Sequence, residues 1–547
     1  MKYQLIIILL SFCIFGCGEP DIGNNYYFDS YSGSDSNNGD SSETPLKSLK
    51  ALHKIRLKPG DSVLLANGSL FSSPLKLISQ HGSKDKPIVV TNYGGKNAKP
   101  KIETKGEPNA VLIENSSFVE VSGLDISANG LNKISVSDIK AMRCGVLVNT
   151  SDSGVYQSIH LRDLTIHDVF YNAPGYSRPE KEVRTPNGTE NYGWGIRVIS
   201  IFPEAYLKHI VIDRVAVENV SHTGIKFTGK QFANGHSIDQ VILSNSTVKR
   251  SGGPGIQMSE ISNGHIFNNQ VDHSGNTDDS RKWGRGSGLW TWGSDKVLIE
   301  KNRFTNANGP GDSAGAHIDF NCSNVVLQYN FSANNAGGFC EILGNNYNCA
   351  YRYNISVNDG FRIKGEQGAF QEGKILWLSG YAGKQSRKGP FNSYFYNNTI
   401  FVKNEITAKV AIDRQAKGIL IANNIFHIEG KTEIVSGDQY NPEKAGEWQV
   451  DKVFFSNNLF LKTDNWPDRM KISDANPVFG NSLLLNKGSD SAIDYLPEAS
   501  ALIRDRGVKI LPLQEDSIGI IYGLQMKYDI LGNKIKGIPD IGAIELE

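Results

Sequence analysis

The sequence predicts an all-β protein built as a parallel β-helix, in which short strands stack coil upon coil. The chain has 547 residues, more than one compact core usually holds, so it forms either several domains or a repeat architecture. Short runs of alternating apolar and polar residues recur along most of it, separated by glycine, asparagine and other turn residues. Because these runs show no helical periodicity, the repeating unit is made of strands.

The N-terminus carries an export signal. Lys2 precedes a short apolar stretch, too short to span a bilayer, and the stretch ends in Ile14-Phe15-Gly16-Cys17, which resembles a bacterial lipobox. We therefore expect residues 1–17 to be a lipoprotein signal peptide and Cys17 to be lipidated. The protein would then be anchored to the bacterial outer membrane by lipid alone, at its periplasmic side or at the cell surface.

Two kinds of run make up each repeat of the predicted solenoid. The first ends near an asparagine, and its tightest copies place Asn245 and Asn269 24 residues apart. The second follows a glycine, so that each coil holds two or three strands, with coils about 4.8 Å apart. The asparagine fits a turn whose side chain bonds the neighbouring coils. Copies of the first run lie at 241–245, 265–269, 297–302, 325–330, 350–354, 394–398, 419–424 and 453–458, and copies of the second at 224–227, 255–258, 288–292, 315–320, 338–343 and 360–364.

Short motifs lie near both ends of the chain: SGSD at 32–35, PLKSL at 45–49, KPGDSV at 58–63, NPVF at 476–479, GSDSAID at 488–494, and DILGN at 529–533 before PDIGA at 539–543. They resemble those of the secreted right-handed parallel β-helix carbohydrate-active enzymes. This resemblance implies a right-handed coil and an oligo- or polysaccharide partner. It does not imply one reaction, because the fold hosts lyases, hydrolases and epimerases.

The predicted domains are a catalytic β-helix over 18–438 and a β-rich closing segment over 439–547, which we expect to cover the open end of the stack. Long insertions interrupt the coils, and loops inserted into a rigid stack usually shape a binding groove. The insertions lie at about 168–193, 272–287, 305–314 and 365–392.

Charge and cysteine content exclude other classes of protein. Lys+Arg and Asp+Glu both number 57, so the basic excess of a nucleic-acid binder is missing. The cysteines beyond the signal are too few for a disulfide framework and form no Cys-x-x-Cys zinc pair, so we expect them to be small buried side chains. The leading function below needs no metal or other cofactor.

Strand alternation assigns the side chains of the second run to two faces. The residues predicted to point inward are Ile225, Phe227, Ile256, Met258, Leu289, Ile318, Phe320, Cys340, Ile342, Phe361 and Ile363. The outward row then gathers aromatic, acidic and basic groups on consecutive coils, namely Lys226, Gln257, Ser259, Trp290, Trp292, His317, Asp319, Phe339, Glu341, Arg362 and Lys364.

Asp319 and Glu341 are the predicted catalytic pair. They lie 22 residues apart, one coil, which would place their backbones about 4.8 Å apart and suit a retaining glycosidase, whose carboxyl groups are about 5–5.5 Å apart. Glu341, beside Phe339, should be the desolvated acid/base, and Asp319 the nucleophile. The parallel β-helix β-xylosidases of glycoside hydrolase family 120 look similar, with an Asp followed by a Glu about one coil later, and this resemblance implies the same assignment. A surface acid pair held by Arg362 and Lys364 is the structural alternative.

The neighbours of the acids are predicted to bind substrate. Trp290 and Trp292 can stack on sugar rings or pack beneath an inserted loop. His317 can polarise Asp319, bind a hydroxyl group or be an ordinary surface histidine. Arg362 and Lys364 can bind an acidic or sulfated sugar or simply pair with the acids.

Three functions remain open at this point. The leading hypothesis is a glycoside hydrolase that cleaves cell-wall oligo- or polysaccharides with retention. The second is a polysaccharide lyase or dehydratase, which acts by β-elimination on uronic-acid glycans with Arg362 or Lys364 as base and with calcium, for which Asp278 and Asp279 are the nearby acidic pair. The third is a non-catalytic glycan-binding surface protein.

Overall fold

The computed structural model describes residues 23–95, 98–130, 142–189, 192–435, 452–462, 474–481, 484, 486–498 and 500–546. The predicted signal peptide and Cys17 lie outside the described residues, so export and lipidation remain predictions. Within the described ranges no helix is long and apolar enough to cross a membrane.

Three long parallel sheets form the molecule, and each coil contributes a strand to each sheet in turn, which confirms the predicted parallel β-helix. Sheet 1 contains Asn25–Phe28, Ser62–Ala66, Ile88–Tyr93, Val119–Ser122, Gly154–Arg162, Ala205–Asp213, Ile238–Ser244, Ile261–Phe267, Asp295–Glu300, Ser323–Gln328, Ala350–Arg352, Phe391–Tyr396, Lys417–Ala422 and Val453–Ser456. Sheet 2 contains Leu75–Ile78, Asn109–Glu114, Arg143–Asn149, Gly193–Ile199, Ile225–Thr228, Ile256–Ser259, Leu289–Trp292, Ala316–Ile318, Gly338–Ile342, Lys374–Leu378, Ala408–Ile412 and Thr432–Ile434. Sheet 3 contains Leu70–Phe71, Lys101–Glu103, Asp125–Asn129, Thr165–Phe170, Ala216–Val220, Thr247–Lys249, Gln270–Asp272, Arg303–Thr305, Phe331–Ala333, Ile355–Val357, Thr399–Val402, Ile425–Ile428, Leu459–Leu461 and Val478–Gly480.

Short elements lie outside these sheets. A two-stranded antiparallel hairpin pairs Gln231–Phe232 with Gly235–His236. The 3₁₀ helices are Ala51–Lys54, Glu180–Arg184, Ala492–Tyr495 and Ser500–Leu502.

The interior of the coil is filled by the alternate side chains of the strands. Most of the side chains predicted to point inward belong to one continuous apolar core: Ile225, Phe227, Ile256, Met258, Leu289, Ile318, Cys340 and Ile342. Burying this apolar surface supplies the main stabilisation of the stack. The four described cysteines, Cys144, Cys322, Cys340 and Cys349, are free and buried, as expected.

The run at 360–364, which was predicted to be a strand, is not a strand in the structure. Phe361 and Ile363 are 39% and 44% exposed, and the next strand of sheet 2 is Lys374–Leu378. Gly360 and Gly365 have φ values of +81° and +94°, a backbone conformation that turns the chain out of the ladder. The coil is therefore completed only after a loop of about a dozen residues. The prediction for Phe320 was also wrong, because it lies two residues past the end of its strand and contacts Trp292 rather than the core.

A buried asparagine ladder fixes one corner of the stack, as the recurrence of asparagine predicts. In each step the Oδ1 atom of one asparagine accepts both the backbone N–H and the side-chain amide of the asparagine one coil earlier; for Asn302 and Asn330 these distances are 3.0 and 3.1 Å. The ladder therefore satisfies polar groups that burial would otherwise leave unpaired. It runs through Asn269, Asn302, Asn330, Asn354, Asn398, Asn424 and Asn458 and ends on Asp474.

The C-terminal part differs from the expected end cover. Stacked strands continue beyond residue 438, through Val453–Ser456 to Val478–Gly480. The segments 486–498 and 500–546 then lie along the side of the stack, where Tyr495 and Ile544 pack against sheet 3, and Ile510 packs against sheet 1. Apolar side chains on the outer faces of the late strands form the surface against which this segment packs. The alternation of apolar and polar residues does not reveal which segment covers that surface.

Candidate active site

A cavity of about 500 Å³ opens on the outer face of sheet 2, a size typical of a small-ligand site. Its floor contains most of the predicted outward row, and its walls come from all four predicted insertions. Phe339, which was predicted to point outward, belongs instead to the apolar core. The insertions supply Pro186 and Asn187, Arg285, Asp312 and Tyr381, and Trp377 comes from strand Lys374–Leu378, which lies within the fourth predicted insertion. The remaining lining residues are Arg197, Lys226, Thr228, Gly229, Ser259, Trp290, Trp292, His317, Asp319, Phe320, Glu341 and Leu343.

The sheet register arranges the floor as one straight row. Trp290 lies opposite His317 on the next coil, and Glu341 lies opposite Trp377 on the coil after that. Ile318 pairs with Ile342, so Glu341 is level with His317. The row thus runs Trp290, His317, Glu341, Trp377 along successive coils.

The predicted face-to-face placement of Asp319 and Glu341 is wrong. Because Ile318 pairs with Ile342, the local coil is 24 residues long and Asp319 is level with Leu343, two positions beyond Glu341. One strand spacing across and two residues along separate their backbones by about 8 Å rather than about 4.8 Å. Both side chains still line the same cavity, but the spacing of their backbones no longer favours retention over inversion.

A third carboxyl group, Asp312, lies in the cavity and was missed by the sequence analysis. The guanidinium of Arg285 binds both of its oxygens, at 2.7 and 3.2 Å. Arg362 donates to its backbone carbonyl at 2.9 Å, and its own N–H donates to the Gln371 side chain. Asp312 belongs to one insertion and Arg285 to another, so no spacing in the sequence indicates that the two meet.

The three carboxyl groups differ in protonation. Burial raises the pKa of Asp319 to about 7, and the hydrogen bond from the Phe320 N–H at 2.8 Å only partly offsets it. Burial also raises the pKa of Glu341, with further upward contributions from the charges of Asp312 and Asp319. Burial likewise opposes ionisation of Asp312, but the Arg285 cation holds its pKa below the usual value. The site therefore combines one permanent carboxylate with two carboxyl groups that can carry a proton near neutral pH.

His317 is buried and neutral. Burial lowers its pKa to about 4, its Nδ1 lies 3.0 Å from the Ser287 hydroxyl, and its ring stacks on Trp290 with centroids 5.8 Å apart. His317 is therefore not an ordinary surface histidine, which was one of the alternatives that the sequence allowed. A neutral ring that lines the cavity suits hydrogen bonding to a hydroxyl group.

Aromatic rings form much of the cavity wall. Trp290 and Trp292 line it as predicted, and the edge of Trp292 contacts Phe320, with centroids 5.8 Å apart. Trp377 and Tyr381 complete the wall. Sequence reasoning missed these two because they follow the loop that displaces the next strand.

The prediction that Arg362 and Lys364 extend the outward row is wrong, because the loop after Gly360 removes both from the sheet. Lys364 is exposed. Arg362 is buried, and its guanidinium donates to the backbone carbonyls of Gly309, Asp312 and Gln371 at 2.8–3.0 Å. Arg362 therefore holds two loops together beside the cavity.

Asp278 and Asp279, the acidic pair suggested as calcium ligands, form ion pairs with basic side chains of the protein. Asp278 lies 2.7 Å from the Lys282 ammonium and 2.6 Å from a nitrogen of Arg250. Asp279 pairs with Arg281 at 2.6 Å. These contacts make both aspartates structural anchors of the inserted loop.

Comparison with known proteins finds a family model and relatives that this chain resembles. The family model described as "Right handed beta helix region" matches residues 199–400. The chain is 25% identical to a lacto-N-biosidase of Bifidobacterium longum subsp. longum over 96% of its own length. That match spans 36% of the relative, so the chain corresponds to about a third of that protein.

Solved structures show the same fold. The native GH136 lacto-N-biosidase from Eubacterium ramulus matches 75% of this chain and 68% of its own, at 23% identity and a TM-score of 0.54. Its selenomethionine derivative matches equally well, with 67% of that chain covered. The likeness to these structures shows the parallel β-helix fold that the sequence predicts.

Proposed function

We propose that this protein is a glycoside hydrolase acting on oligosaccharides. The observation that carries the proposal is the aromatic-walled cavity in which three carboxyl groups with different proton affinities meet. Glycoside hydrolysis needs one carboxyl group that is protonated and one that is ionised. The likeness to lacto-N-biosidase over 96% of the chain supports the same chemistry.

Asp319 and Glu341 are the proposed catalytic pair. Burial and the charges of Asp312 and Asp319 raise the pKa of Glu341 above that of an ordinary carboxyl group. Glu341 would therefore stay protonated and donate its proton to the departing glycosidic oxygen. Asp319 becomes ionised above pH about 7 and would attack the anomeric carbon. In the retaining mechanism that we propose, water then cleaves the glycosyl–Asp319 ester, and Glu341 takes the proton of that water.

Asp312 competes with Glu341 for the role of acid/base residue beside Asp319, and kinetics separates the two assignments. Glu341→Gln should slow substrates with poor leaving groups far more than activated aryl glycosides, and azide should restore turnover, as expected for loss of an acid/base group. If Asp312→Asn shows this pattern instead and Glu341→Gln does not, Asp312 is the acid/base residue and Glu341 belongs to the wall.

The substrate is the next step to establish. Because the curated relative is named a lacto-N-biosidase, the first substrate to test is an aryl glycoside of lacto-N-biose, followed by a panel of cell-wall oligo- and polysaccharides. Trp290, Trp292 and His317 are the proposed substrate-binding residues, since they line the cavity beside the acids. An export signal with lipidation of Cys17 would place this activity at the outer membrane.

Product chemistry tests the proposal against its alternatives. A hydrolase gives new reducing ends without ultraviolet absorbance, a lyase gives an absorbing unsaturated uronate, and a binding protein gives neither. Proton NMR of the first-formed anomer decides between retention and inversion. Full activity of Asp319→Asn would exclude the proposed nucleophile.

A further inference from the structure

An exposed tyrosine lies outside the cavity, where the chain turns from sheet 2 to sheet 1. Tyr347 comes four residues after Leu343, which lines the cavity, so that their Cα atoms are at most about 14 Å apart. The residue is 41% exposed, but its backbone belongs to the stack, where it pairs with Ser323 on the preceding coil and with Phe391 on the following coil. A ligand that extends out of the cavity can therefore reach a ring whose backbone is fixed.

The neighbouring residues of the row hold this ring in place and leave one side of it open. The rings of Tyr347 and Phe391 are stacked, with centroids 4.9 Å apart and 23° between their planes. On the other side the row continues with Ser323, a small side chain, and with Asp295 one coil earlier. The Ser323 hydroxyl donates to the Asp295 carboxyl group at 2.6 Å. The open side of the ring is thus next to groups that can hydrogen-bond to sugar hydroxyls.

The aromatic wall of the cavity and the Tyr347–Phe391 pair are joined by one anchored loop. Phe320 and Tyr381 both line the cavity, and their rings meet edge to face with centroids 5.6 Å apart. Tyr381 lies in the loop that leads to strand Phe391–Tyr396. Its carbonyl oxygen accepts the N–H of Gly344, three residues before Tyr347, at 2.7 Å. This hydrogen bond fixes the exposed pair relative to the cavity.

We propose that Tyr347 forms a further substrate-binding subsite, where its ring stacks on a sugar unit of an oligosaccharide whose scissile bond lies in the cavity. The inference rests on the proposed function but not on which carboxyl group is the acid/base residue. Tyrosine presents a large amphipathic face, and a ring already held by Phe391 loses little conformational freedom when a sugar binds. The protein should therefore prefer oligosaccharides that extend beyond the cavity to short glycosides.

The test compares an aryl glycoside with oligosaccharides of increasing length that carry the same scissile sugar, first lacto-N-biose and otherwise the sugar that the substrate panel identifies. For the wild type, kcat/KM should rise when the chain becomes long enough to reach Tyr347. Tyr347→Ala should raise KM for these longer substrates about five- to tenfold, because one stacking contact is lost, and should leave kcat and the aryl glycoside unaffected. Tyr347→Phe keeps the ring and should behave as wild type. Tyr31→Ala, which removes a 73% exposed tyrosine on the first coil, is the matched control and should change neither substrate.

The outcomes separate this inference from the proposed function. A wild type that cleaves nothing in the substrate panel overturns the proposed function. An active wild type that gains nothing from longer chains, or whose Tyr347→Ala variant has unchanged constants, overturns the subsite alone. An equal loss on short and long substrates also overturns it, because a subsite outside the cavity affects only the chain that reaches it. Thermal unfolding establishes that each variant is folded, and Tyr347→Gln serves for the same comparison if Tyr347→Ala does not fold.

Discussion

At the scale of single residues, the cavity works as a set of coupled charges rather than as two isolated acids. Arg285 fixes the charge of Asp312, and that charge raises the pKa of both Asp319 and Glu341. Asp319, with a pKa raised to about 7, is then a carboxyl group whose state changes near neutral pH. The pH dependence of activity and of stability should therefore both report on Asp319.

The first prediction concerns the acidic limb of activity. As the nucleophile, Asp319 must be ionised, and burial sets its pKa to about 7. We expect kcat/KM of the wild type to fall tenfold per pH unit below that value, and Asp319→Asn to lose at least about 1,000-fold in kcat at every pH. A profile that stays flat from pH 5 to pH 7 would contradict the assignment.

The second prediction concerns stability and uses the same residue without any substrate. A carboxyl group whose pKa is higher in the folded than in the unfolded protein stabilises the fold below its unfolded pKa and loses that contribution as pH rises through the folded value. Asp319→Asn should thus unfold at a higher temperature than wild type at pH 8, and the difference should shrink toward pH 4. Differential scanning calorimetry at both pH values measures it. Asp85→Asn, at an exposed position, serves as the control and should show no such trend.

At the scale of structural elements, alternation along single runs is readable from the sequence, but register between coils is not. The outward positions of Trp290 and His317, each two residues after a glycine, follow from alternation, whereas Glu341 lies three residues after Gly338. The pairing of Ile318 with Ile342 depends on how many residues the intervening turns consume, which the pattern leaves open. For the same reason the sequence did not reveal that, after the loop that follows Gly360, the next strand of sheet 2 begins only at Lys374.

The third prediction tests the asparagine ladder that holds the turns in register. Asn330→Ala removes the acceptor of the Asn302 backbone and side-chain amides and leaves both buried. We expect a loss of about 2–4 kcal/mol in the free energy of unfolding, since each unsatisfied buried group costs about 1–3 kcal/mol. Urea denaturation of Asn330→Ala and of Asn404→Ala, where the asparagine is exposed, gives the comparison. Equal stability of the two variants would mean that the ladder contributes nothing.

At the scale of the whole molecule, the C-terminal segment is part of the folded unit. Residues 486–498 and 500–546 cover apolar side chains on the outside of sheets 1 and 3, in three separate clusters. Large exposed apolar patches are rare on soluble proteins, so the late coils depend on this cover. The sequence indicated a closing role for the segment, but the side of the stack it covers is set by packing between elements far apart in the chain.

The last prediction tests that dependence with two neighbouring residues. Ile510 is 4% exposed and packs with Tyr394 and Tyr396, whereas Leu511 is 68% exposed. Ile510→Ala should lower the free energy of unfolding by about 2–5 kcal/mol, the usual effect of such a truncation in a core, and Leu511→Ala should change it by less than about 0.5 kcal/mol. If the segment and the stack form one cooperative unit, Ile510→Ala lowers the melting temperature of the entire molecule in a single transition. A separate early transition, with the main one unchanged, would show instead that the β-helix is stable without its C-terminal cover.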